Sequence, residues 1–236
     1  MFHVFGCCKP YEMTETEIKK NFLNCMGNEL GTSFFAMYKE LIWTSKKWEE
    51  YQDLFTTNSE RIKIVNQSAP LFFSIIKDSL ENDILLSISR LTDPLTTGKF
   101  KNASLRRALP EVSDEATREK LTSQIDSLET IVKTIREKRN KNISHIDFDH
   151  LFQIPSDSIV VVKYTEIEDA LNQIQKIFNQ IEQHFCKSST VFECFPSMGG
   201  SYELLRLLDQ GLQFDEAVQL QRGKSPITIT PSKKEI

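Results

Sequence analysis

One stretch of the sequence, residues 121–145, reads LTSQIDSLETIVKTIREKRNKNISH. Its apolar side chains are spaced by four, three, four and three residues, which is the spacing of a helix that packs along other helices. They are Leu121, Ile125, Leu128, Val132 and Ile135, and we call this set the seam. The spacing predicts one long central helix over residues 114–144.

The segments on both sides of the seam have helical spacing too. Residues 14–56 predict one long or one broken helix, begun by a capping box between Thr14 and Glu17, and residues 69–91 predict a second helix. After the seam, a capping box between Thr165 and Glu168 predicts a helix with its own apolar stripe. That stripe contains Ile167, Leu171, Ile174, Phe178, Ile181 and Phe185.

The remaining stretches define the predicted domain organisation. Residues 95–110 are loop-like with a short helical piece, residues 159–163 (IVVVK) are a short extended segment, and residues 201–214 predict a short helix that ends near Gly211. The sequence has only 8 Gly and 8 Pro, which favours long helices. We therefore expect an all-α antiparallel helical bundle over residues 14–214, with an N-terminal extension (1–13) and a flexible C-terminal tail (215–236).

Composition limits the classes of protein to consider. A net charge of −4 over 236 residues argues against a chain coated with nucleic-acid-binding cations. No apolar run approaches the roughly 18 residues of a membrane span, and the first residues lack the pattern of a signal peptide. Five cysteines without framework spacing suit reduced thiols. The sequence predicts a cytoplasmic protein that does not bind a membrane.

The end of the seam is polar and basic. Continuing the spacing past Ile135 places Arg139 and Asn142 at positions that should face the core, so the guanidinium needs a partner or a ligand. From Lys133 to Lys141 the chain has five basic residues against one acid, a net charge of +4. Together with His145, three residues beyond Asn142, this cationic end is a plausible phosphate site.

Arg139 followed by Asn140 and then, after four residues, by His145 resembles the motif of the HEPN superfamily. The context agrees: SRLTDP at 89–94, HID after the motif and ELLRLLDQG near the C-terminus resemble its abortive-infection (AbiU-like) branch. The resemblance covers about residues 15–212. It implies a helical bundle that dimerises through the motif-bearing helices, and often a metal-independent endoribonuclease of toxin or antiphage systems that needs no cofactor.

The resemblance also implies residue roles. His145 would transfer protons while a ribose 2′-OH attacks the adjacent phosphate. Arg139 would stabilise the developing negative charge, and Asn140 would orient Arg139 or the phosphate. The expected partners are RNA rather than DNA, a second copy of the chain and an antitoxin. Some related toxins have a modified Tyr two residues after the His, where this chain has Asp147, so silencing by that route is not expected. Substrate contacts are expected from Arg136, Lys138, Lys141 and Asn142.

Simpler interpretations remain open at this stage. Arg139 and His145 could cap a helix end, and the basic residues could be solvated surface. Arg90 and Asp93 could line the site, but a contact between the two that fixes the bend at Pro94 is favoured. His150, with the aspartates of HIDFDH, suggests a metal site that lacks a second ligand cluster. His184 with Cys186 and Cys194 is better explained as a helix end. A non-catalytic module that binds RNA, a nucleotide or a protein partner is therefore the alternative function.

Overall fold

The structure, a computed structural model, describes residues 13–56, 58–140, 160–192 and 199–222. The described chain is almost entirely helical, so the predicted all-α class is confirmed. In chain order its α-helices are α1 (Glu15–Phe55), α2 (Ser59–Ser68), α3 (Pro70–Thr92), α4 (Glu115–Ile131), α5 (Lys133–Lys138), α6 (Tyr164–Cys186) and α7 (Ser201–Arg222). None of these helices is long and apolar enough to cross a membrane.

The connection between α3 and α4 contains two short elements. Strand β1 (Thr96–Thr97) pairs in antiparallel fashion with β2 (Phe100–Lys101), with Thr96 opposite Lys101. A 3-10 helix over Leu105–Glu111 follows. The sequence predicted the short helical piece in this loop but not the hairpin, whose strands are too short to show an alternating pattern.

Two compact units share the chain. The first contains Met1–Glu49 and Asp78–Pro196, and the second contains Glu50–Lys77 and Ser197–Ile236. Helices α4, α5 and α6 lie in the first unit, and α2 and α7 lie in the second, while α1 and α3 pass from one to the other. The division into an extension, one domain and a tail stays a prediction.

Helix α1 folds back on itself at Gly27. This residue has φ 75° and ψ 179°, a conformation that L-residues with a side chain rarely adopt, and it ends the first helical segment. The N-terminal segment then lies along the rest of α1, because Glu15 reaches Lys39 at 3.2 Å and Phe22 lies against Gly31. The predicted broken helix is therefore confirmed, and the break reverses the chain.

Gly31 makes this reversal possible by letting the two segments of α1 approach closely. A Cβ atom at this position would lie 2.6 Å from the carbonyl oxygen of Phe22 and 2.8 Å from the Cα of Leu23. We expect Gly31→Ala to lower the free energy of unfolding by about 1–3 kcal/mol, because the contact is with backbone that must move. Urea denaturation measures the change.

Gly211, inside α7, provides the matched control. A Cβ atom there would have no neighbour within 4 Å. Gly211→Ala should therefore stabilise the protein by about 0.5–1 kcal/mol, since alanine is the better helix former. Equal changes of the same sign in the free energy of unfolding of both variants would contradict the close approach at Gly31.

The core of the first unit forms around the seam and α6. All five seam residues are at most 2% exposed, and α4 packs against α6 and the 3-10 helix. Phe178 of α6 stacks on Phe34 of α1 with ring centroids 4.1 Å apart. The sequence predicted a single helix along the seam, and this prediction was wrong. Val132, with ψ 2°, separates α4 from α5. The seam remains continuous because Val132 keeps its hydrogen bonds to Leu128 and Arg136.

Helix α6 begins earlier than the sequence predicted. The backbone N–H of Lys163 donates to the Glu166 carboxylate at 2.7 Å, so the capping interaction lies two residues before the predicted Thr165–Glu168 box. Residues 160–163, the described part of the predicted extended segment, form neither a helix nor a strand. The predicted apolar stripe of α6 is buried from Ile167 to Ile181.

The second unit packs α2 against α7. Its core contains Leu54, Val65, Phe73 and Leu205. Helix α2 was not predicted from the sequence. Asn58 caps its start, and the Asn58 side chain accepts the N–H of Glu60 at 2.8 Å. The predicted end of the last helix near Gly211 was wrong. Helix α7 continues to Arg222, so residues 215–222 of the predicted tail are helical.

Candidate functional site

The basic end of the seam lies on α5, against the C-terminal half of α3. Three of its cations contact α3 or the residue after it: Arg136, Lys138 and Arg139. Arg139 follows α5 directly and keeps helical dihedral angles, φ −54° and ψ −50°. We call these three side chains and Asn140 the cationic cluster. Its position is set by the seam, because Ile135 is buried one turn earlier.

Arg139 is held from two sides. Its Nη1 atom lies 3.3 Å from Oδ1 of Asp93, and its Nε–H donates to Oδ1 of Asn140 at 3.0 Å. The Arg139 and Asp93 side chains are 23% and 22% exposed, so the ion pair is partly shielded from water. Within the described chain, these contacts use two of the five N–H donors of the guanidinium. The other three donors have no partner among the described residues.

The other two cations stabilise α3. Lys138 forms an ion pair with Glu81, and both side chains are about one fifth exposed. Arg136 donates to the backbone carbonyl of Thr92, the last residue of α3. A cation on a helix-terminal carbonyl satisfies an otherwise unpaired acceptor and interacts favourably with the helix dipole. The Nε of Arg136 is buried without a partner in the described residues.

These contacts change the charge of the candidate site. The segment from Lys133 to Lys141 has a net charge of +4, but Glu81 and Asp93 lie against it and reduce the local sum to +2. The attraction for a phosphate is therefore weaker than the sequence suggests.

The structure places part of the predicted site. It brings Arg139 and Asn140 together, with Arg136 and Lys138 on the same short helix. The other predicted site residues lie outside the described residues; they are Lys141, Asn142 and His145. The roles predicted for all seven residues stay predictions, including the approach of His145 to Arg139.

Glu81 was not singled out from the sequence, and Asp93 was expected to have a different partner. The sequence favoured a contact between Arg90 and Asp93, but Arg90 pairs with Glu40 at 2.9 Å, and Asp93 pairs with Arg139. A signal for Glu81 was available, because Glu81, Leu85, Ile88 and Thr92 repeat the spacing of the seam.

Other candidate sites receive no support from the described chain. Within it, no group of three His, Cys, Asp or Glu residues could hold a metal ion. The predicted metal alternative at His150 lies outside it. A surface groove of about 710 Å³ opens beside α4, but its charged lining is mostly acidic, with Glu115, Glu119 and Asp126 against Arg118. Such a groove does not suit a polyanion.

The comparison with protein families concerns most of the chain. A family model of the HEPN group, described as AbiU2, matches residues 28–202. The matched range includes α3, the cationic cluster and residues 141–145. No curated protein and no solved structure matches the chain.

Proposed function

Since the chain belongs to the HEPN AbiU2 family, we propose that it is a metal-independent endoribonuclease that acts as a toxin or an antiphage abortive-infection effector. Arg139, Asn140 and His145 are its catalytic residues in this proposal. Two copies of the chain form the active enzyme and each contributes one motif. Family membership supports the class of protein, and the cleavage itself is the proposed part.

One observation carries the proposal: the way in which Arg139 is held. Asp93 and Asn140 fix a partly buried guanidinium at the end of a fully buried seam, and within the part of the chain that the structure describes three of its donors have no partner. A preorganised cation stabilises developing charge better than a mobile surface arginine, because it needs little reorganisation when the charge appears. A merely solvated arginine would not need two partners.

The chemistry follows from these groups. His145 of one copy removes the proton from a ribose 2′-OH, and the hydroxyl oxygen attacks the adjacent phosphorus. Arg139 stabilises the extra negative charge of the pentacoordinate phosphorus. The second His145 protonates the departing 5′-oxygen. The products are a 2′,3′-cyclic phosphate and a 5′-hydroxyl, and the need for a 2′-OH restricts the substrate to RNA.

The test is cleavage of RNA in the presence of a chelator. The purified full chain is incubated with a mixed RNA pool in EDTA, and the ends of the products are identified by mass spectrometry. We expect cleavage that EDTA does not slow, cyclic phosphate ends, and no cleavage of a matched DNA pool. Cleavage that requires Mg²⁺, or that leaves 3′-hydroxyl ends, contradicts the proposed mechanism.

A second candidate function is supported by the pairing of the cations. Lys138 is neutralised by Glu81, and Arg136 caps α3, so both have structural tasks. In this alternative the cationic cluster belongs to a non-catalytic module that binds RNA, a nucleotide or a protein partner through Arg139. It predicts salt-sensitive binding without cleavage. Measuring binding of the same RNA pool at two salt concentrations, alongside cleavage, separates the two candidates.

A further inference from the structure

The β1–β2 hairpin presents an aromatic ring and two lysines to solvent. All six residues from Thr96 to Lys101 are exposed, and Phe100 is 66% exposed. The Nζ atom of Lys99 lies 5.5 Å from the centroid of the Phe100 ring. These six residues include no acid. The hairpin therefore combines one flat apolar surface with two positive charges.

The hairpin is held at its base and open at its turn. Asn102, the residue after β2, donates from Nδ2 to the carbonyl oxygen of Pro94 and to Oγ1 of Thr97, both at 2.8 Å. In the turn, Gly98 has φ 58°, the positive value that the first position of a tight two-residue hairpin turn requires. A Cβ atom at Gly98 would meet nothing within 4 Å. The turn is therefore accessible to a large ligand.

The charge around the hairpin is positive. Lys101 pairs with Glu29 of α1 at 3.4 Å, and Arg107 of the 3-10 helix approaches the same carboxylate at 3.7 Å. Together with Lys99, these residues have a net charge of +2. The Lys101 and Glu29 side chains are 68% and 73% exposed, so water weakens their ion pair and a phosphate can compete for Lys101.

The hairpin follows the residue that holds Arg139. Asp93 pairs with Arg139 and lies three residues before Thr96, so the Cα atoms of Asp93 and Thr96 are at most about 11 Å apart. A stacked nucleic-acid strand rises about 3.4 Å per nucleotide, so about three nucleotides cover this distance. Arg139 and the hairpin belong to the same compact unit. One strand can therefore contact both.

We infer that the hairpin binds a single-stranded segment of RNA, with a base stacked on Phe100 and phosphates of the same strand near Lys99 and Lys101. Every unpaired base has a flat face that an aromatic ring can stack on, whereas the faces of paired bases are covered inside a duplex. One ring is too small an apolar surface for a stable protein interface. The inference rests on the proposed nuclease and adds a substrate site outside its catalytic motif.

Binding of a single strand that cannot be cleaved tests this site. The full chain is titrated into a short, fluorescein-labelled 2′-O-methyl RNA at low salt, and fluorescence anisotropy gives the Kd. Phe100→Leu should raise the Kd about 5–100-fold, because leucine stays apolar but has no face for stacking. Phe100→Trp should bind at least as tightly as the original chain. The same RNA annealed to its complement should bind more weakly than the single strand.

Phe214 provides the matched control. It is 69% exposed, on α7 in the second unit, and Phe214→Leu should leave the Kd unchanged. The lysines are tested through the salt dependence. Lys99→Ala should reduce the slope of log Kd against log salt concentration by about 0.7, the value for one phosphate contact of a single strand. Phe100→Leu should keep the original slope.

The outcomes separate this site from the nuclease. An unchanged Kd in Phe100→Leu, an equal loss in Phe214→Leu, or no binding of the single strand by the original chain overturns the hairpin site. With an unchanged Kd in Phe100→Leu, cleavage in EDTA by the original chain would still support the nuclease. A loss of binding specific to Phe100→Leu supports the hairpin site even if the original chain cleaves no RNA, and then only the nuclease is rejected.

Discussion

Replacing Arg139 by alanine should reduce the kcat of RNA cleavage by about 10²–10³-fold. The reason is the position of its guanidinium, which Asp93 and Asn140 hold while three of its donors have no partner in residues 13–140, as far as these are described. Removing it takes away the preorganised charge that the transition state needs, whereas binding of the RNA ground state depends on several cations. We therefore expect a smaller change in KM than in kcat. Single-turnover cleavage assays with excess enzyme measure the chemical step.

Lys138→Ala is the matched control for this variant. Lys138 is the preceding residue, is similarly exposed, and pairs with an acid of α3 as Arg139 pairs with Asp93. Each substitution removes one positive charge and one ion pair with a carboxylate, so the effects on folding stability should be similar. Lys138→Ala should keep the single-turnover rate at saturating enzyme within a few-fold of the original chain, because the substrate contact predicted for Lys138 affects binding and not the chemical step. Equal losses in both variants would assign the effect to charge or folding, and the specific role of Arg139 would be rejected.

Replacing His145 by alanine should lower the cleavage rate by about 10²–10⁴-fold, which is the usual contribution of a general acid or base. In a dimer the substitution removes both proton-transfer groups at once. Binding of RNA should change much less, because the cations around the site supply most of the phosphate contacts. Cleavage assays and fluorescence anisotropy on the same labelled RNA measure the two quantities.

His150→Ala serves as the comparison, since it changes the same residue type five positions further on. It should cleave at the original rate. If His145→Ala cleaves as fast as the original chain, the nuclease proposal fails, and binding without cleavage in every variant favours the non-catalytic module. If His150→Ala is the inactive variant, the assignment of the motif histidine is wrong.

The sequence predicted those parts of the fold that depend on local spacing. All seam residues and the stripe of α6 from Ile167 to Ile181 are buried as expected, because a continuous apolar stripe on a helix must be covered. The interruption of the helix at Val132 was not predictable from the seam, since the four-three spacing of the seam residues continues across it. Helix α2 was overlooked because only Val65 of its residues is fully buried, which leaves a weak pattern.

The candidate site was predicted only in part, for a physical reason. An arginine at a seam position needs a partner, and the sequence indicated that requirement at Arg139. Which acid supplies the charge is decided by tertiary structure, because Asp93 is 46 residues away in the chain. The preference for an Arg90–Asp93 contact failed because nearness in sequence does not decide between competing ion pairs. Arg90 is 50 residues from its partner, Glu40.

The reversal at Gly27 has a consequence for relatives of this protein. The family match begins at residue 28, directly after the bend, so the helical segment before Gly27 lies outside the matched range. This segment covers rings inside that range: Phe22 packs against Phe34 and Tyr38. A chain shortened to start at residue 28 would present those rings to water. Any relative without an equivalent helix must therefore shield that aromatic surface with a different segment or with another protein.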